Sequence, residues 1–231
     1  MTDNSKDEFI EITRIKEEFI ANASHELKTP IASVRLAAES ALTSLERDDG
    51  MTKSFLEQIL RDSDRMNELI SDLLDLSAME SSDVFMEAFD LHDVIANEIS
   101  YLSKQNKKRI SYKKKKVEIN ANFDDISLAV KNLIKNALKY SPPEENILIQ
   151  VEENDKSVRC SFQDFGSGIS KPDQEKIFER FYRVDKGRSR KVGGTGLGLA
   201  IVKHALDRNN AVIEIVSELD HGSNFTIVFE K

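Results

Sequence analysis

Cysteine, tryptophan and long apolar runs are scarce or missing in this chain, and each absence narrows the range of folds. The 231 residues include one cysteine, Cys160, and no tryptophan. A single thiol excludes an intramolecular disulfide, which fits a reducing compartment. No apolar run approaches the roughly 20 residues that a membrane-spanning helix needs. We therefore expect a cytoplasmic protein without membrane contact in these residues, and leave open an anchor to the inner membrane outside them.

Positive charge is also in short supply. Lysine and arginine number 33 against 41 acidic residues, so the formal net charge is −8 and the pI is about 5.2. Nucleic-acid binding needs a basic face, so nucleic acid is not an expected partner. The lysine-rich stretch 107–116 is interpreted as a solvated hairpin.

Two amphipathic stripes dominate the first third of the chain. Apolar residues recur at spacings of three and four, which is typical of one helix face. The stripes consist of Leu27, Ile31, Val34, Ala38, Ala41 and Leu45, and of Phe55, Ile59, Met66, Leu69, Leu73 and Leu76. The polar segment 46–50 between them is typical of a turn, so the pattern predicts an antiparallel helical hairpin.

A single hairpin buries too little apolar surface to be stable alone. Two copies can bury each other's stripes as a four-helix bundle, which predicts a homodimer. The alternative is a hairpin packed against its own C-terminal domain. The predicted division is a tail at 1–8, the hairpin domain at 9–80, a linker at 81–88 and a second domain at 89–231.

The second domain mixes helices with strands. Helices are predicted at about 91–107, 124–140, 172–180 and 196–208, and strands at about 109–112, 116–119, 146–153, 157–164, 211–217 and 224–230. Apolar and polar residues alternate over 158–163, as in a half-buried strand. Strand pairs run together while helices lie apart, which indicates the α+β class, with a mixed sheet covered on one face by helices.

A histidine on the first helix carries the first candidate site. His25 lies about 200° around the helix from Leu27, so it faces solvent. The adjacent carboxylate of Glu26 can hydrogen-bond one imidazole nitrogen and leave the other free as a nucleophile. Pro30 removes one helix hydrogen bond and is expected to bend the helix beside His25. Alone, such a histidine is an ordinary surface residue, so its interpretation depends on the other motifs.

Two asparagines, Asn132 and Asn136, share one face of a later predicted helix. Neutral amide oxygens can complete the octahedral shell of a phosphate-bound Mg²⁺. Lys139, one turn further on, can pair with a phosphate, and Tyr140 can stack on a base. Without the other motifs, two such asparagines would be interpreted as an exposed polar face.

Two glycine-rich segments follow the asparagines. In the first, at 164–169, glycines allow a sharp turn at a strand end, and Asp164 can accept a hydrogen bond from an adenine amino group. The second, at 193–198, runs into a helix whose N-terminus can cradle phosphates. A dinucleotide fold and a P-loop are both excluded, because no strand immediately precedes it and no Gly-Lys-Ser/Thr follows. Between the segments, aromatics at 178–182 precede a basic stretch at 186–191 that can close like a lid.

The order and spacing of these motifs resemble those of the sensor histidine kinase family over about residues 9–231. The matching motifs are the H box at His25, the N box at 132–140, the G1 box at 164–168, the F box at 178–183 and the G2 box at 194–198. Within the family, segments 19–25 and 188–195 are most similar to the phosphate-regulon sensor class.

The resemblance implies a dimeric phosphoacceptor bundle followed by a Bergerat-type (GHKL) α/β sandwich that binds ATP and Mg²⁺. His25 would take the γ-phosphoryl group with Glu26 as general base, and Thr29 would act when the protein dephosphorylates its partner. The phosphoryl group would pass to an aspartate in the receiver domain of a response regulator.

The same resemblance assigns a set of residues to the nucleotide. They are Asn132, Asn136, Lys139, Tyr140, Asp164, Gly166, Gly168, Ile169, Tyr182, Arg183, Gly194, Thr195, Gly196, Leu197 and Gly198. Asn132 or Asn136 would hold Mg²⁺, and Arg183 would help to stabilise the phosphates.

Three other interpretations compete with the kinase. Topoisomerase, mismatch-repair and heat-shock ATPases of the same superfamily lack a His-Glu-x-x-Thr-Pro helix, and anti-sigma serine kinases lack the helical hairpin. A degenerate kinase that serves as a scaffold or acts mainly as a phosphatase is the more serious alternative. The intact Asn132, Asn136, Asp164 and Gly196 argue against it.

Overall fold

A computed structural model gives the fold and describes residues 4–47, 50–184 and 194–231, with side chains at Arg14 and from Glu17 onward. The helices are α1 (Asn4–Arg47), α2 (Thr52–Ser81), α3 (Leu91–Tyr101), α4 (Lys104–Lys108), α5 (Phe123–Tyr140), α6 (Lys171–Gln174) and α7 (Gly198–Arg208). The strands are β1 (Glu87–Asp90), β2 (Ile110–Tyr112), β3 (Glu118–Ala121), β4 (Ile147–Glu153), β5 (Ser157–Gln163), β6 (Ala211–Glu218) and β7 (Gly222–Glu230). The described residues divide into two compact units, 4–74 with 194–195 and 75–184 with 196–231.

The first unit is the predicted helical hairpin of α1 and α2. Side-chain contacts show that the two helices are antiparallel, because residues further along α2 contact residues nearer the start of α1. These contacts are Ser44–Thr52 at 3.0 Å, Ser33–Gln58 at 3.0 Å and Glu26–Arg65 at 3.1 Å. Helix α1 begins at Asn4 and not at the predicted residue 9, and it continues through Pro30.

The apolar stripes of the hairpin are only partly covered by their own chain. Ala37, Ala41 and Leu69 are buried between the helices, whereas Ile31 is 55% exposed and Leu45 is 64% exposed. A single hairpin therefore leaves large apolar side chains exposed. Exposed apolar side chains of this kind indicate a surface that another hairpin or domain covers.

The second unit is built on a five-stranded sheet in the order β2-β4-β5-β7-β6. Strand β2 runs parallel to β4, and all other neighbours are antiparallel, so the sheet is mixed, as predicted. Strands β1 and β3 form a separate antiparallel pair. The last turns of α2 belong to this unit, where Arg208 donates a hydrogen bond to the backbone carbonyl of Met79.

The predicted hairpin across the lysine-rich stretch is wrong. Strand β2 pairs with β4 and β3 pairs with β1, so the strands on either side of the lysines lie in different sheets. Strand β1 begins at Glu87, inside the predicted linker. The misassigned hairpin concerns pairing partners distant in the chain, and local sequence carries little information about such partners.

The core of the second unit lies between the large sheet and the helices. Along β5, Val158, Cys160 and Phe162 are buried and alternate with half-exposed polar residues, which confirms the predicted pattern. Helices α5 and α7 pack against each other and against the sheet. Burial raises the pKa of the Cys160 thiol. Among the described residues, no helix is long and apolar enough to cross a bilayer.

Candidate functional site

Helix α5 carries the asparagine pair, and side-chain hydrogen bonds define both of its ends. At its start, Oδ1 of Asn122 accepts a hydrogen bond from the backbone N–H of Asp125 at 2.9 Å. Asp124 and Asp125 in the first turn also complement the helix dipole. At its end, the hydroxyl of Ser141 accepts a hydrogen bond from the N–H of Phe165 at 3.0 Å. The asparagine helix is thereby tied to the segment that follows β5.

The two asparagines of α5 have different surroundings. Asn132 is buried, and its Nδ2 donates to the carbonyl of Leu128 at 3.0 Å. Its Oδ1 faces the start of α7, where a methyl group on Gly198 would lie 3.0 Å away. Asn136 is half-exposed, and its amide has no hydrogen bond within the part of the chain that is described. Asn132 therefore lies where α5 meets the start of α7, and the Asn136 side chain is partly open to solvent.

Asp164 follows β5 and is almost fully buried. Its Oδ1 accepts a hydrogen bond from the N–H of Gly166 at 2.9 Å, and its own N–H donates to the carbonyl of Ser223 at 2.8 Å. Burial raises the pKa of Asp164, and the hydrogen bonds from Gly166 and Ser223 offset part of that rise. The result is a fixed acceptor group at the end of β5, the central strand of the sheet.

The glycines beside Asp164 are required by close backbone contacts. A Cβ atom on Gly166 would lie 2.4 Å from the carbonyl oxygen of Tyr140, at the end of α5. Gly168 has a φ of +66°, and a Cβ there would lie 1.8 Å from the carbonyl oxygen of Glu218. The adjacent N–H of Ile169 donates to Oγ of Ser217 at 2.8 Å. This loop therefore packs directly between α5 and the end of β6.

The aromatic segment is attached to the start of α7 through its backbone. The N–H of Phe181 donates to the carbonyl of Gly196 at 2.9 Å. Phe181 itself has a φ of +65°, a region that bulky residues rarely adopt. A Cβ on Gly196 would lie 2.9 Å from Cα of Phe181, and Leu197 beside it is fully buried.

Other residues that the sequence predicts to bind the nucleotide lie in the same unit. The hydroxyl of Tyr182 donates to Oδ1 of Asp173 at 2.6 Å, and this bond raises the pKa of Tyr182. Arg183 is half-exposed. The ammonium of Lys139 lies 5.3 Å from the ring centroid of Tyr140, which is 47% exposed. The predicted basic lid at 186–191 lies outside the described residues.

Two residues of the second glycine segment belong to the first unit. Thr195 is buried, and its hydroxyl donates to Oδ2 of Asp72 at 2.5 Å. Gly194 precedes it with a φ of +121°. The structure therefore places Gly194 and Thr195 in the unit that contains most of α2.

The predicted phosphoacceptor region lies on α1 in the first unit. His25 is exposed, as predicted, and the hydroxyl of Thr29 donates to its backbone carbonyl at 3.3 Å. Glu26 has no hydrogen bond to His25 in this structure. Its Oε2 instead pairs with Nη2 of Arg65 on α2 at 3.1 Å.

Sequence reasoning missed several residues that build these sites. Arg65 was not identified because its partner lies on another helix. Gly222, with a φ of +86°, packs so tightly that a Cβ would lie 2.2 Å from the carbonyl oxygen of Asp164. Its signal was the turn sequence Asp-His-Gly before β7. Ser141 could have been found as a hydroxyl directly after the asparagine helix.

Two family matches cover most of the chain. Residues 15–82 match the His Kinase A (phospho-acceptor) domain, and residues 121–231 match the Histidine kinase-, DNA gyrase B-, and HSP90-like ATPase family. The protein is therefore of the class that joins a phosphoacceptor hairpin to an ATPase domain of this type.

Curated relatives identify the family within that class. The chain is 34% identical over 237 residues to the sensor-like histidine kinase SenX3 of Mycolicibacterium smegmatis. It is 36% identical over 227 residues to the phosphate regulon sensor protein PhoR of Pseudomonas aeruginosa. The alignments cover 97% and 95% of this chain, but 59% and 51% of the relatives. The chain belongs to the sensor histidine kinase family, and it spans about half the length of the curated relatives it matches.

Solved structures show the same fold. The histidine kinase AdeS of Acinetobacter baumannii superposes with a TM-score of 0.66 at 22% identity, over 89% of this chain and 97% of that one. The histidine kinase ThkA, solved in complex with the response regulator protein TrrA, gives 0.74 at 20% identity, over 96% of this chain and 63% of that one. These comparisons confirm the predicted hairpin and α/β ATPase fold.

Proposed function

We propose that this chain is an ATP-dependent protein-histidine kinase that phosphorylates its own His25 and passes the phosphoryl group to an aspartate of a response regulator. The observation that carries the proposal is an exposed imidazole on a phosphoacceptor hairpin, in the same chain as an ATPase domain with an ordered acceptor at Asp164. A catalytically degenerate scaffold or a mainly phosphatase-active member is the alternative.

The nucleotide is proposed to bind along α5, the Asp164 loop and the start of α7. Asp164 would accept a hydrogen bond from the adenine amino group, because its buried carboxylate is held in place by Gly166. The amide oxygens of Asn132 and Asn136 fit a Mg²⁺ ion, since neutral oxygen ligands suit Mg²⁺ bound to phosphates. The ion would neutralise charge on the phosphates.

The chemistry proposed for the hairpin is nucleophilic attack by an imidazole. One nitrogen of His25 forms a bond to the γ-phosphorus while the bond from that phosphorus to the leaving oxygen of ADP breaks. Glu26 accepts the proton from the other nitrogen, so that the phosphorylated ring is left neutral. Thr29 is exposed one turn further along α1 and is proposed to act when the partner is dephosphorylated.

A homodimer and a docked response regulator complete the proposal. The exposed Ile31 and Leu45 support dimerisation, because a second hairpin would remove both from water. The regulator would dock near His25 on exposed residues of both helices. The ThkA structure contains a response regulator, which supports this partner class. A cytoplasmic location, with any membrane anchor outside these residues, belongs to the same proposal.

The experiment that tests the function is labelling with γ-³²P-ATP. His25→Gln is expected to abolish incorporation while nucleotide binding is retained, and Asn136→Ala to lose the MgATP-dependent activity. His221→Gln, at an exposed histidine in the turn before β7, serves as control and should label normally. The label should be acid-labile, as phosphohistidine is. Full incorporation in His25→Gln would disprove the proposed acceptor.

A further inference from the structure

The contact between Glu26 and Arg65 differs from the other ion pairs of the hairpin. Its Oε2–Nη2 distance is 3.1 Å, and the side chains are only 28% and 18% exposed. The Arg61–Glu57 pair, about one turn away on α2, has a distance of 4.0 Å and side chains 66% and 53% exposed. Exposed pairs fix side-chain positions weakly, because solvent screens the charges and both side chains stay mobile. Among the ion pairs of the hairpin that the structure describes, the Glu26–Arg65 pair is the least exposed and therefore the best placed to restrain a carboxylate.

The pair uses only one oxygen of the Glu26 carboxylate. Arg65 bonds to Oε2, and Oε1 has no partner among the described residues. A carboxylate can accept hydrogen bonds on both oxygens, so the contact with Arg65 leaves Oε1 of Glu26 able to accept a hydrogen bond. The guanidinium is planar and always charged, so it can donate a hydrogen bond to one oxygen without transferring the proton.

Glu26 follows His25 on α1 and is half-buried on the side that contacts α2. A glutamate without a partner at this position would sample many rotamers. A base that is held by a third group loses less freedom when it engages the nucleophile, which is the principle of catalytic triads. Arg65 reaches Glu26 from the opposite helix, so the hairpin itself supplies this third group.

We propose that Arg65 is a positioning residue for autophosphorylation: by holding Oε2 of Glu26 it presents Oε1 to the imidazole N–H of His25. This inference rests on the proposed function and deepens it. Arg65 takes no proton and forms no bond to phosphorus in this role. Its effect on the reaction passes entirely through Glu26.

Steady-state autophosphorylation of the full chain tests the proposal. Arg65→Gln should lower kcat about tenfold, since general-base catalysis as a whole contributes about 10²- to 10⁴-fold. The KM for MgATP should stay within about twofold, because the hairpin residue does not hold the nucleotide. Arg65→Lys, which keeps the charge but not the planar fork, should recover part of the loss. Arg61→Gln is the matched control and should behave as the wild type.

A double-mutant cycle separates positioning from a merely structural role. If Arg65 acts through Glu26, the Glu26→Gln and Arg65→Gln double variant should be no slower than Glu26→Gln alone. If the kcat losses of the two single variants multiply in the double variant, the proposal is overturned. A higher kcat in Arg65→Gln would also overturn it, because the ion pair would then restrain the kinase. If Arg65→Gln loses its helical circular dichroism, the same cycle is run with Arg65→Lys.

The two levels of failure are distinguishable. A wild-type chain that takes no label on His25 would reject the proposed function and this inference with it. A wild-type chain that labels His25 normally, with Arg65→Gln equally fast, would reject the inference alone.

Discussion

At the scale of single residues, Asp164 combines a buried carboxyl group with a proposed role in nucleotide binding. Its carboxyl group is buried, and burial raises its pKa because the charged form loses hydration. The N–H of Gly166 holds Oδ1 in place, so the group stays oriented despite that cost. A buried, oriented acceptor suits recognition of an adenine amino group.

Asp164→Asn should weaken ATP binding and not destabilise the fold. A hydrogen bond to a charged group is worth about 1.5–3 kcal/mol, so affinity should fall about 10- to 100-fold in a fluorescent-ATP titration. A raised pKa in the folded state means that Asp164 favours folding below its unfolded pKa of about 3.9. That contribution is lost as pH rises through the higher folded pKa.

As pH rises from about 4 to neutrality, the free energy of unfolding of Asp164→Asn should therefore increase relative to that of the wild type. Urea unfolding at several pH values measures this difference. Asp155→Asn, at an exposed aspartate in the turn between β4 and β5, provides the control for removal of one charge. Unchanged ATP affinity in Asp164→Asn would contradict the proposed adenine contact.

At the scale of elements, the meeting of α5 and α7 brings together motifs that are far apart in the chain. The buried Asn132 faces Gly198, so the asparagine helix and the start of α7 share one surface. Capping by Asn122 and the contact of Ser141 with Phe165 define the ends of α5. The glycine at 198 therefore has a packing reason as well as its place at a helix N-terminus.

Gly198→Ala should separate fold stability from magnesium-dependent binding. Alanine in a helix is about 0.5–1 kcal/mol more favourable than glycine, so the unfolding free energy should not fall. The added methyl group would lie 3.0 Å from Oδ1 of Asn132 and displace that amide. We expect MgATP affinity to fall about tenfold, since small misplacements of binding groups are costly.

The measurement is a nucleotide titration with Mg²⁺ and with EDTA, and the loss should be confined to the Mg²⁺ series. Lys203→Ala on the exposed face of α7 is the control and should bind normally. Equal losses in both series would indicate that Asn132 does not place the ion.

At the scale of the whole molecule, the hairpin carries apolar surface that its own chain does not cover. Besides Ile31 and Leu45, several large side chains of α1 and α2 are more than half exposed. They are Ile20, Leu36, Leu42, Leu56, Leu60 and Leu74. Monomeric proteins rarely leave large apolar patches in water, so a second hairpin is the proposed cover for these side chains.

Leu45→Glu should weaken the homodimer. A charge buried at a dimer seam is unfavourable because it loses hydration without gaining a partner. Light scattering after gel filtration should give about 52 kDa for the wild type, twice the 26.2 kDa of one chain, and a lower concentration-dependent mass for the variant. Val216→Glu, at a 75% exposed valine of β6, is the control. A monomeric wild type would reject the dimer.

Local patterns were sufficient to predict most elements and the residue types of the site. The spacing of apolar residues predicted the hairpin, and alternation along β5 predicted which side chains are buried. The exposed position of His25 followed from helix geometry alone. These features depend on residues within one or two turns of each other, so sequence carries them directly.

Pairings between distant segments could not be predicted in the same way. The partners of β2 and β3 were misassigned, and the contact of Glu26 with Arg65 was not foreseen. Gly222 gave only a turn signal, although it packs against Asp164. Each of these depends on which surfaces meet after folding, and many partners far along the chain are equally compatible with the local pattern.

The sequence by itself determined the two-part organisation of the protein, its candidate nucleophile at His25 and its candidate nucleotide motifs, because periodicity and glycine usage are local. The tertiary structure alone decided which group holds Glu26, which strands flank the lysines, and why Gly166 and Gly198 cannot carry a side chain without moving a neighbour. Those outcomes depend on contacts a few ångströms long between residues far apart in the chain, and only the packed fold defines such contacts.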